Sequence, residues 1–456
     1  MTSFFNDLLN SIAERGRALV ERGDVRAAND DPVRLAERLL SQSGEASALA
    51  IADRLLDLYD RLDGPARAAF FQALADRFGP DLAAVETAIA RYAGNPSSAE
   101  AARLHAVAEP RRQDLVRKLN RTARGTERLV RMRADLLAAG GRPNAFSEVD
   151  ADFEHLFRSW FNRGFLVLQP ITWNTPAIIL EKIIAYEAVH EICSWEDLRR
   201  RIEPADRRCY AFFHPSLNDE PLIFVEVALV RGMADAVGPI LSAERKQLDA
   251  AQADTAIFYS ISNCQVGLKG ISFGNFLIKQ VARELLKELP HLKTFATLSP
   301  IPGFRRWAES ALQQEGAESL AVAAHLDLSD FAARVDAGEL GGADTDEDAI
   351  APNVRTAVSG LAAHYFLNAK HRSGQPLDPV QRFHLGNGAR LDRINWRGDL
   401  SPRGCAQSFG LMVNYVYDLD RIEENHEAYA QRWEIVAAPG IRQLARQRSV
   451  QALIAA

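Results

Sequence analysis

The sequence predicts an α+β protein: an N-terminal all-α helical bundle, then an α/β domain around a central mixed sheet. Three observations carry this. From Ser3 to about Gly140 the residues are mostly Ala, Leu, Arg, Asp and Glu, with almost no strand-like run. After Asp152 the grain changes, and short runs of β-branched and aromatic residues alternate with helical ones. Within that second part, Ala256 to Trp307 reads in order as strand, glycine-bearing turn, helix, strand and proline-rich corner.

The N-terminal elements follow from apolar stripes and breaks. Phe4, Leu8, Leu9 and Ile12 form one stripe; Leu35, Leu39 and Leu40 a second; Leu55, Leu56, Leu58 and Leu62 a third. Asp63-Gly64-Pro65, Phe78-Gly79-Pro80 and Asn95-Pro96-Ser97-Ser98 interrupt them, and Gly140-Gly141-Arg142-Pro143-Asn144 closes the region. The break spacing predicts roughly six to eight helices. One helix is expected to carry Arg117, Arg121, Arg124, Arg128 and Arg131 on a single face. Such a face suits an acidic partner or a ligand's phosphates, but a solvated or ion-paired face is the commoner case.

Candidate strands follow at Phe165–Leu168, Leu222–Val230, Ala256–Ser262, Thr294–Leu298, Leu391–Trp396 and Leu411–Tyr417. Helical patterns occupy Ala177–Val189, Phe276–Leu289, Arg305–Gln314 and Asn353–Lys370. The mixed order implies one largely central sheet. The acidic run Asp344-Thr345-Asp346-Glu347-Asp348 fails the EF-hand pattern, with Ala349 where glycine is needed and Arg355 where glutamate is needed. It reads as a solvated loop.

Gly267, Gly270 and Gly274 allow a tight turn and close approach of a ligand to the main chain. Behind them Leu277, Val281, Leu285 and Leu289 recur every four residues, and Pro290 stops the helix. A glycine turn feeding a helix start offers free N–H groups and a positive dipole end, which suit a phosphate. The spacing is neither G-x-G-x-x-G nor the P-loop pattern, so nicotinamide and nucleoside triphosphate readings lose support. An anion cradle and a plain chain reversal both fit.

As strings, SISNCQVGLKGISFGNFLIKQVARELLKELPHLKTFATLSPIPGF, RRCYAFFHPSLNDEPLIFVEVAL from Arg207 and FHLGNGARLDRINWRGDLSPRGCAQSFGLMVNY from Phe383 resemble the malonyl-CoA decarboxylase family. The blocks occur in family order, from about Phe157 through Tyr417. The resemblance implies a helical N-terminal domain, residues 1–156, concerned with oligomerisation or interaction, and a catalytic domain, residues 157–456, of GNAT acetyltransferase-like fold. It also implies a homo-oligomer, often a tetramer, acting on malonyl-CoA, with coenzyme A part of the substrate and no separate cofactor. The coenzyme A loop it carries over is Lys269, Gly270, Ile271, Ser272, Phe273, Gly274 and Asn275. Ser272 and Asn275 also suit capping of the helix start. Ser299, in Leu298-Ser299-Pro300-Ile301-Pro302-Gly303-Phe304, matches the family's proton acceptor, and His384, in Phe383-His384-Leu385-Gly386-Asn387-Gly388-Ala389, its proton donor.

Decarboxylation of a malonyl thioester leaves an enolate, so the thioester is its own electron sink. Histidine suits the protonation step because its usual pKa lies near working pH, so it can arrive protonated and give up a proton readily. Ser before Pro is ordinarily a turn former, and Ser299 lacks the G-x-S-x-G elbow of a serine hydrolase. His214 reads as structural, and Asn395, Trp396, Arg403, Asn414 and Tyr415 carry no assigned role. Two other classes stay open: a GNAT-type N-acyltransferase, which needs an acceptor amine and a base, and a non-catalytic acyl-CoA-sensing scaffold.

Composition narrows the rest. The 456 residues are 47% hydrophobic and 25% charged, and the formal net charge of -6 disfavours non-specific nucleic acid binding. Cys193, Cys209, Cys264 and Cys405 lack C-x-x-C spacing, which fits a reducing compartment and offers no zinc site, and no H-E-x-x-H metal motif is present. No apolar run is long enough to span a bilayer. Acidic residues among the first two dozen argue against a transit peptide, and the ending lacks S-K-L, so the cytoplasm is expected.

Overall fold

In the computed structural model, the structure describes residues 11–12, 31–141, 145–271, 273, 277–312, 333 and 352–446. The chain forms two compact units. One comprises Met1–Val167, Phe212–Leu222 and Asn263–Phe273; the other comprises Leu168–Ala211, Ile223–Ser262 and Gly274–Ala456.

The first unit is built on helices α1 (Pro32–Ser41), α2 (Glu45–Asp60), α3 (Gly64–Arg77), α4 (Leu82–Gly94), α5 (Ser98–Ala108), α6 (Arg111–Leu119), α7 (Gly125–Ala139) and α8 (Ser147–Trp160). Local chemistry sets their starts. Asp31, Asp63, Asp81 and Ser97 each accept a backbone N–H of the first turn, and Pro stands in the first turn of α1 and α3. The stripes supply the core: Leu39, Leu55, Leu56, Phe70, Phe71, Leu129, Leu136 and Phe157 are buried. Each contributes roughly 1.5–3 kcal/mol relative to exposure.

The arginines expected on one helix do not share one. α6 stops at Leu119, Arg124 takes a left-handed φ of 57°, and α7 begins at Gly125. Thr122 Oγ1 donates to the Leu119 carbonyl, the local side-chain bond that competes with helix continuation. Arg117 pairs with Glu109, Arg128 with Asp57 and Asp60, and Arg124 and Arg131 with Glu127, so these charges are largely spent on neighbours. Phe4, Leu8 and Leu9 of the first stripe and the Asp344–Asp348 loop lie outside the described residues.

The strands are β1 (Val167–Ile171), β2 (Arg207–Phe213), β3 (Pro221–Val230), β4 (Thr255–Asn263), β5 (Thr294–Thr297), β6 (Ser299–Pro300), β7 (Arg390–Asn395) and β8 (Met412–Val416). Their order is β1-β2-β3-β4-β5-β8-β6, with β7 also pairing β8. The sheet is mixed, as expected: β4 and β5 are parallel, whereas β8 runs antiparallel to β5, β6 and β7. Further helices are α9 (Ala177–Tyr186), α10 (Trp195–Ile202), α11 (Gly238–Leu241), α12 (Leu277–Glu288), α13 (Phe304–Leu312), α14 (Pro352–Asn368), α15 (Pro379–Gly386), α16 (Pro402–Ser408), α17 (Ile422–Arg432) and α18 (Pro439–Ala445). Of these elements, β2, β6, α10, α11 and α15 to α18 go beyond the sequence expectation. No helix among the described residues is long and apolar enough to cross a membrane.

A break in strand pairing shapes the centre of this sheet. β4 and β5 pair only from Thr255–Thr294 to Phe258–Thr297, while β4 runs on to Asn263. β6 meanwhile keeps the register of β5 along β8: Ala296 lies opposite Val416 and Ser299 opposite Val413. Thr297 and Ser299 thus sit two residues apart on one broken strand.

Candidate active site

Ser299 opens β6, directly after Leu298, whose N–H still bonds to the Phe258 carbonyl of β4. The corner is held by side chains. Asn414 Nδ2 donates to the Thr297 carbonyl at 2.7 Å, and Asn414 Oδ1 accepts from Asn395 Nδ2 at 2.8 Å. Asn414 is fully buried, so these bonds fix the strand where it switches partners. This gives Asn395 and Asn414 the structural role that the sequence left blank.

His384 lies in the last turn of α15. Asp378 caps the helix start, accepting the Gln381 N–H at 2.8 Å, with Pro379 next to it. At the other end Ala389 N–H bonds to the His384 carbonyl and Gly388 N–H to the Leu385 carbonyl, the Schellman closure. Gly388 has a φ of +82°, and a Cβ there would lie 2.2 Å from the Ile422 carbonyl oxygen. The F-H-L-G-N-G-A string is therefore a helix ending that only glycine can close. Asn387 does one thing more: its Oδ1 accepts the Leu277 N–H at the start of α12, at 3.2 Å. The segment that carries His384 thereby caps the helix that comes after the glycine turn in the chain.

These elements bring the two nominated residues together across 85 positions of sequence: Ser299 Oγ lies 3.1 Å from His384 Nε2. Ser299 donates to Thr297 Oγ1 at 2.9 Å, and the same oxygen accepts the Tyr415 N–H at 3.1 Å. On the far side of the imidazole, Nδ1 is 2.8 Å from the Tyr417 hydroxyl. With the Ser299 proton directed at Thr297, its lone pair faces His384, so Nε2 carries the proton and Nδ1 accepts from Tyr417. The Tyr415 ring stacks on the imidazole, with centroids 4.5 Å apart.

Burial sets the electrostatics. His384 is 2% exposed and Ser299 5%. Removal from water lowers the His384 pKa to about 3. At rest this favours the neutral imidazole, because no carboxylate among the described residues offsets its desolvation. Burial likewise holds the Tyr417 phenol well above its usual range, so its hydroxyl keeps its proton. Asp378, fully buried beside the Tyr365 hydroxyl, is raised to about 6 by desolvation.

Thr297 and Tyr417 were absent from the sequence candidates. Period-2 spacing carried a signal, because Thr297 and Ser299, like Tyr415 and Tyr417, alternate on one strand line. His214 behaves as expected of a packed residue: it lies against Phe161 and accepts the Ser216 N–H.

Of the expected coenzyme A loop, Lys269 and Gly270 are exposed, and Ile271 and Phe273 are buried. Ser272, Gly274 and Asn275 lie outside the described residues. Gly270 has a φ of +82°, as a turn of this kind requires.

Comparison with known proteins places these features in context. Residues 164–454 match the family model "Malonyl-CoA decarboxylase C-terminal domain", and residues 78–161 match "Malonyl-CoA decarboxylase N-terminal domain". The chain is 38% identical over 341 residues to the mitochondrial malonyl-CoA decarboxylase of Anser anser anser, covering 70% of this chain and 66% of that one. It is 36% identical over 374 residues to the Mus musculus counterpart, covering 76% and 73%. Among solved structures, malonyl-CoA decarboxylase from Rhodopseudomonas palustris has a TM-score of 0.84 at 52% identity, covering 90% of this chain and 98% of that one. The Agrobacterium vitis protein gives 0.83 at 49% identity, covering 92% and 100%.

Proposed function

The chain belongs to the malonyl-CoA decarboxylase family, and from that premise we propose that it converts malonyl-CoA to acetyl-CoA and carbon dioxide. The observation that carries the reading is the 3.1 Å approach of Ser299 Oγ to His384 Nε2 in a buried setting.

The chemistry follows from that pair. The bond between the methylene carbon and the carboxylate carbon breaks, and its electrons form an enolate with charge on the thioester oxygen. Carbon dioxide leaves, and the methylene carbon takes one proton. Ser299 would turn its hydroxyl proton from Thr297 to the malonyl carboxylate and hydrogen-bond it. That carboxylate is also what His384 lacks at rest. Its negative charge beside the imidazole favours the protonated ring, so proton uptake is coupled to substrate binding. The imidazolium then gives its Nε2 proton to the enolate carbon, while the Tyr417 hydroxyl turns to accept from Nδ1. A positioned acid of this kind contributes typically about a hundred- to ten-thousandfold in rate.

Backbone N–H groups of the Lys269–Asn275 loop, followed by α12, would hold the phosphates of coenzyme A. The same proposal includes self-association, supported by Leu82, Ile89 and Tyr92, which stand exposed on α4. Light scattering would measure it.

The test is purified protein with malonyl-CoA alone, following acetyl-CoA and carbon dioxide. Turnover without added amine is the expected outcome. Product only when an amine is supplied would make the protein an acyltransferase, and no product in either case would end the enzymatic reading. His384→Asn should lower kcat by about a hundredfold or more, with affinity for coenzyme A retained.

A further inference from the structure

We propose that Arg133, in the middle of α7, is a positioning residue for coenzyme A: it holds the glycine turn so that a main-chain donor faces the ligand. The inference deepens the proposed function and rests on its assignment of the Lys269–Asn275 loop to coenzyme A.

Arg133 is 2% exposed, and it is among the largest fully buried side chains. A buried guanidinium is costly unless every donor is used. Here Nε donates to Asp150 Oδ1 at 2.7 Å. Nη1 donates to two carbonyl oxygens of one turn, Gly267 and Lys269, each at 2.9 Å. The partners are 134 and 136 residues away in sequence, so this is no local helix contact. Main-chain packing reinforces the grip. A Cβ on Gly267 would lie 1.8 Å from the Val130 carbonyl oxygen, one turn earlier on α7. The turn can come this close only because position 267 is glycine.

Peptide geometry gives the grip its effect. In a trans peptide the carbonyl and the next N–H point in opposite directions. Holding the Lys269 carbonyl against Arg133 therefore turns the Gly270 N–H away from α7. Gly270 is exposed and in the left-handed region, and with Lys269 at ψ 130° and the Ile271 N–H bonded to the Leu268 carbonyl at 3.0 Å it forms a type II turn whose middle peptide carries the Gly270 N–H. The positive charge of Arg133 is matched by Asp150, so its influence is through orientation rather than direct attraction of phosphate. A lysine cannot reproduce it, because one ammonium lacks the planar fork that serves a carboxylate and two carbonyls together.

The experiment compares wild type, Arg133→Lys, Arg133→Met and Gly270→Val in the full chain. Coenzyme A affinity is read by calorimetry, kinetics with malonyl-CoA, and loop opening by hydrogen exchange in peptides spanning 263–273. Both Arg133 variants should weaken coenzyme A binding and raise KM by about tenfold or more, while kcat at saturation changes by less than about threefold. The discriminating substrate is malonyl-N-acetylcysteamine, which keeps the thioester and lacks the phosphates. Its kcat/KM should be the same in wild type and in the Arg133 variants. An equal loss on both substrates would make Arg133 merely structural and overturn the inference, as would unchanged affinity for coenzyme A. If Arg133→Met does not fold, Arg133→Lys decides between these outcomes. Gly270→Val separates the two levels. Weakened binding there with normal Arg133 variants sinks only this inference; unchanged binding there sinks the loop assignment, and this inference with it.

Discussion

Tyr417→Phe removes one oxygen from behind His384 and leaves the ring, the strand and the fold in place. The tyrosine N–H still bonds to the Phe295 carbonyl, and the ring still meets Phe258 edge-on at 6.3 Å. What is lost is the 2.8 Å bond to Nδ1. In a buried site no water replaces it. A hydrogen bond to a group that becomes charged is worth about 1.5–3 kcal/mol, which corresponds to roughly ten- to a hundred-and-fiftyfold in rate. The loss should fall on kcat, because Tyr417 reaches the substrate only through the imidazole. Acetyl-CoA formation at saturating malonyl-CoA reads kcat, and the substrate dependence reads KM, which should stay near wild type. A kcat within about twofold of wild type, under half a kcal/mol, would show that the hydroxyl does not support the histidine. A matching rise in KM would place Tyr417 on the substrate instead.

Three further outcomes follow from the same geometry. With its pKa near 3, His384 should show a neutral imidazole and no titration from about pH 5 to 8 in nitrogen NMR of the ligand-free protein; a midpoint near the ordinary histidine value would contradict its desolvation. Asp378 has its folded pKa raised from 3.8 to about 6, so the stability it contributes is full below 3.8 and is lost as pH rises through 6. Asp378→Asn should therefore gain on wild type by on the order of 2–3 kcal/mol between pH 4 and pH 7.5 in urea titrations; a difference independent of pH would show that the carboxyl is not desolvated as described. Gly388→Ala meets both a positive φ and a backbone oxygen at 2.2 Å, so it should cost about 2–4 kcal/mol and lower kcat by shifting the end of α15. Wild-type thermal stability would refute that packing.

Legibility divided along the range of the forces involved. Helices such as Leu277–Glu288 and strands such as Thr255–Asn263 were readable because period, caps and proline stops act within a few residues. The order of helices first and mixed sheet second followed from the same local patterns. The arginine stripe was misread at the same range: Thr122 and Gly125 break the helix, and a face drawn by counting alone ignored them. Short elements such as β6 or α15 carry too little local pattern to be seen; β6 exists because β8 pairs with it.

Ser299 and His384 were each nominated by their own strings, one a proline corner and the other a helix ending closed by glycine. Their contact was not written in either string. It arises because β8 lies against β5 and β6 in a register that sets Tyr415 and Thr297 in contact, with Tyr417 directly after that strand and bonded to His384 of α15. The charge on His384 is a further step removed, since desolvation depends on every atom that excludes water from it. Residue types and local turns thus prescribe which groups are available and which backbone shapes they accept. Distances, tautomer and protonation belong to the assembled chain, because only packing brings remote segments together and takes the solvent away.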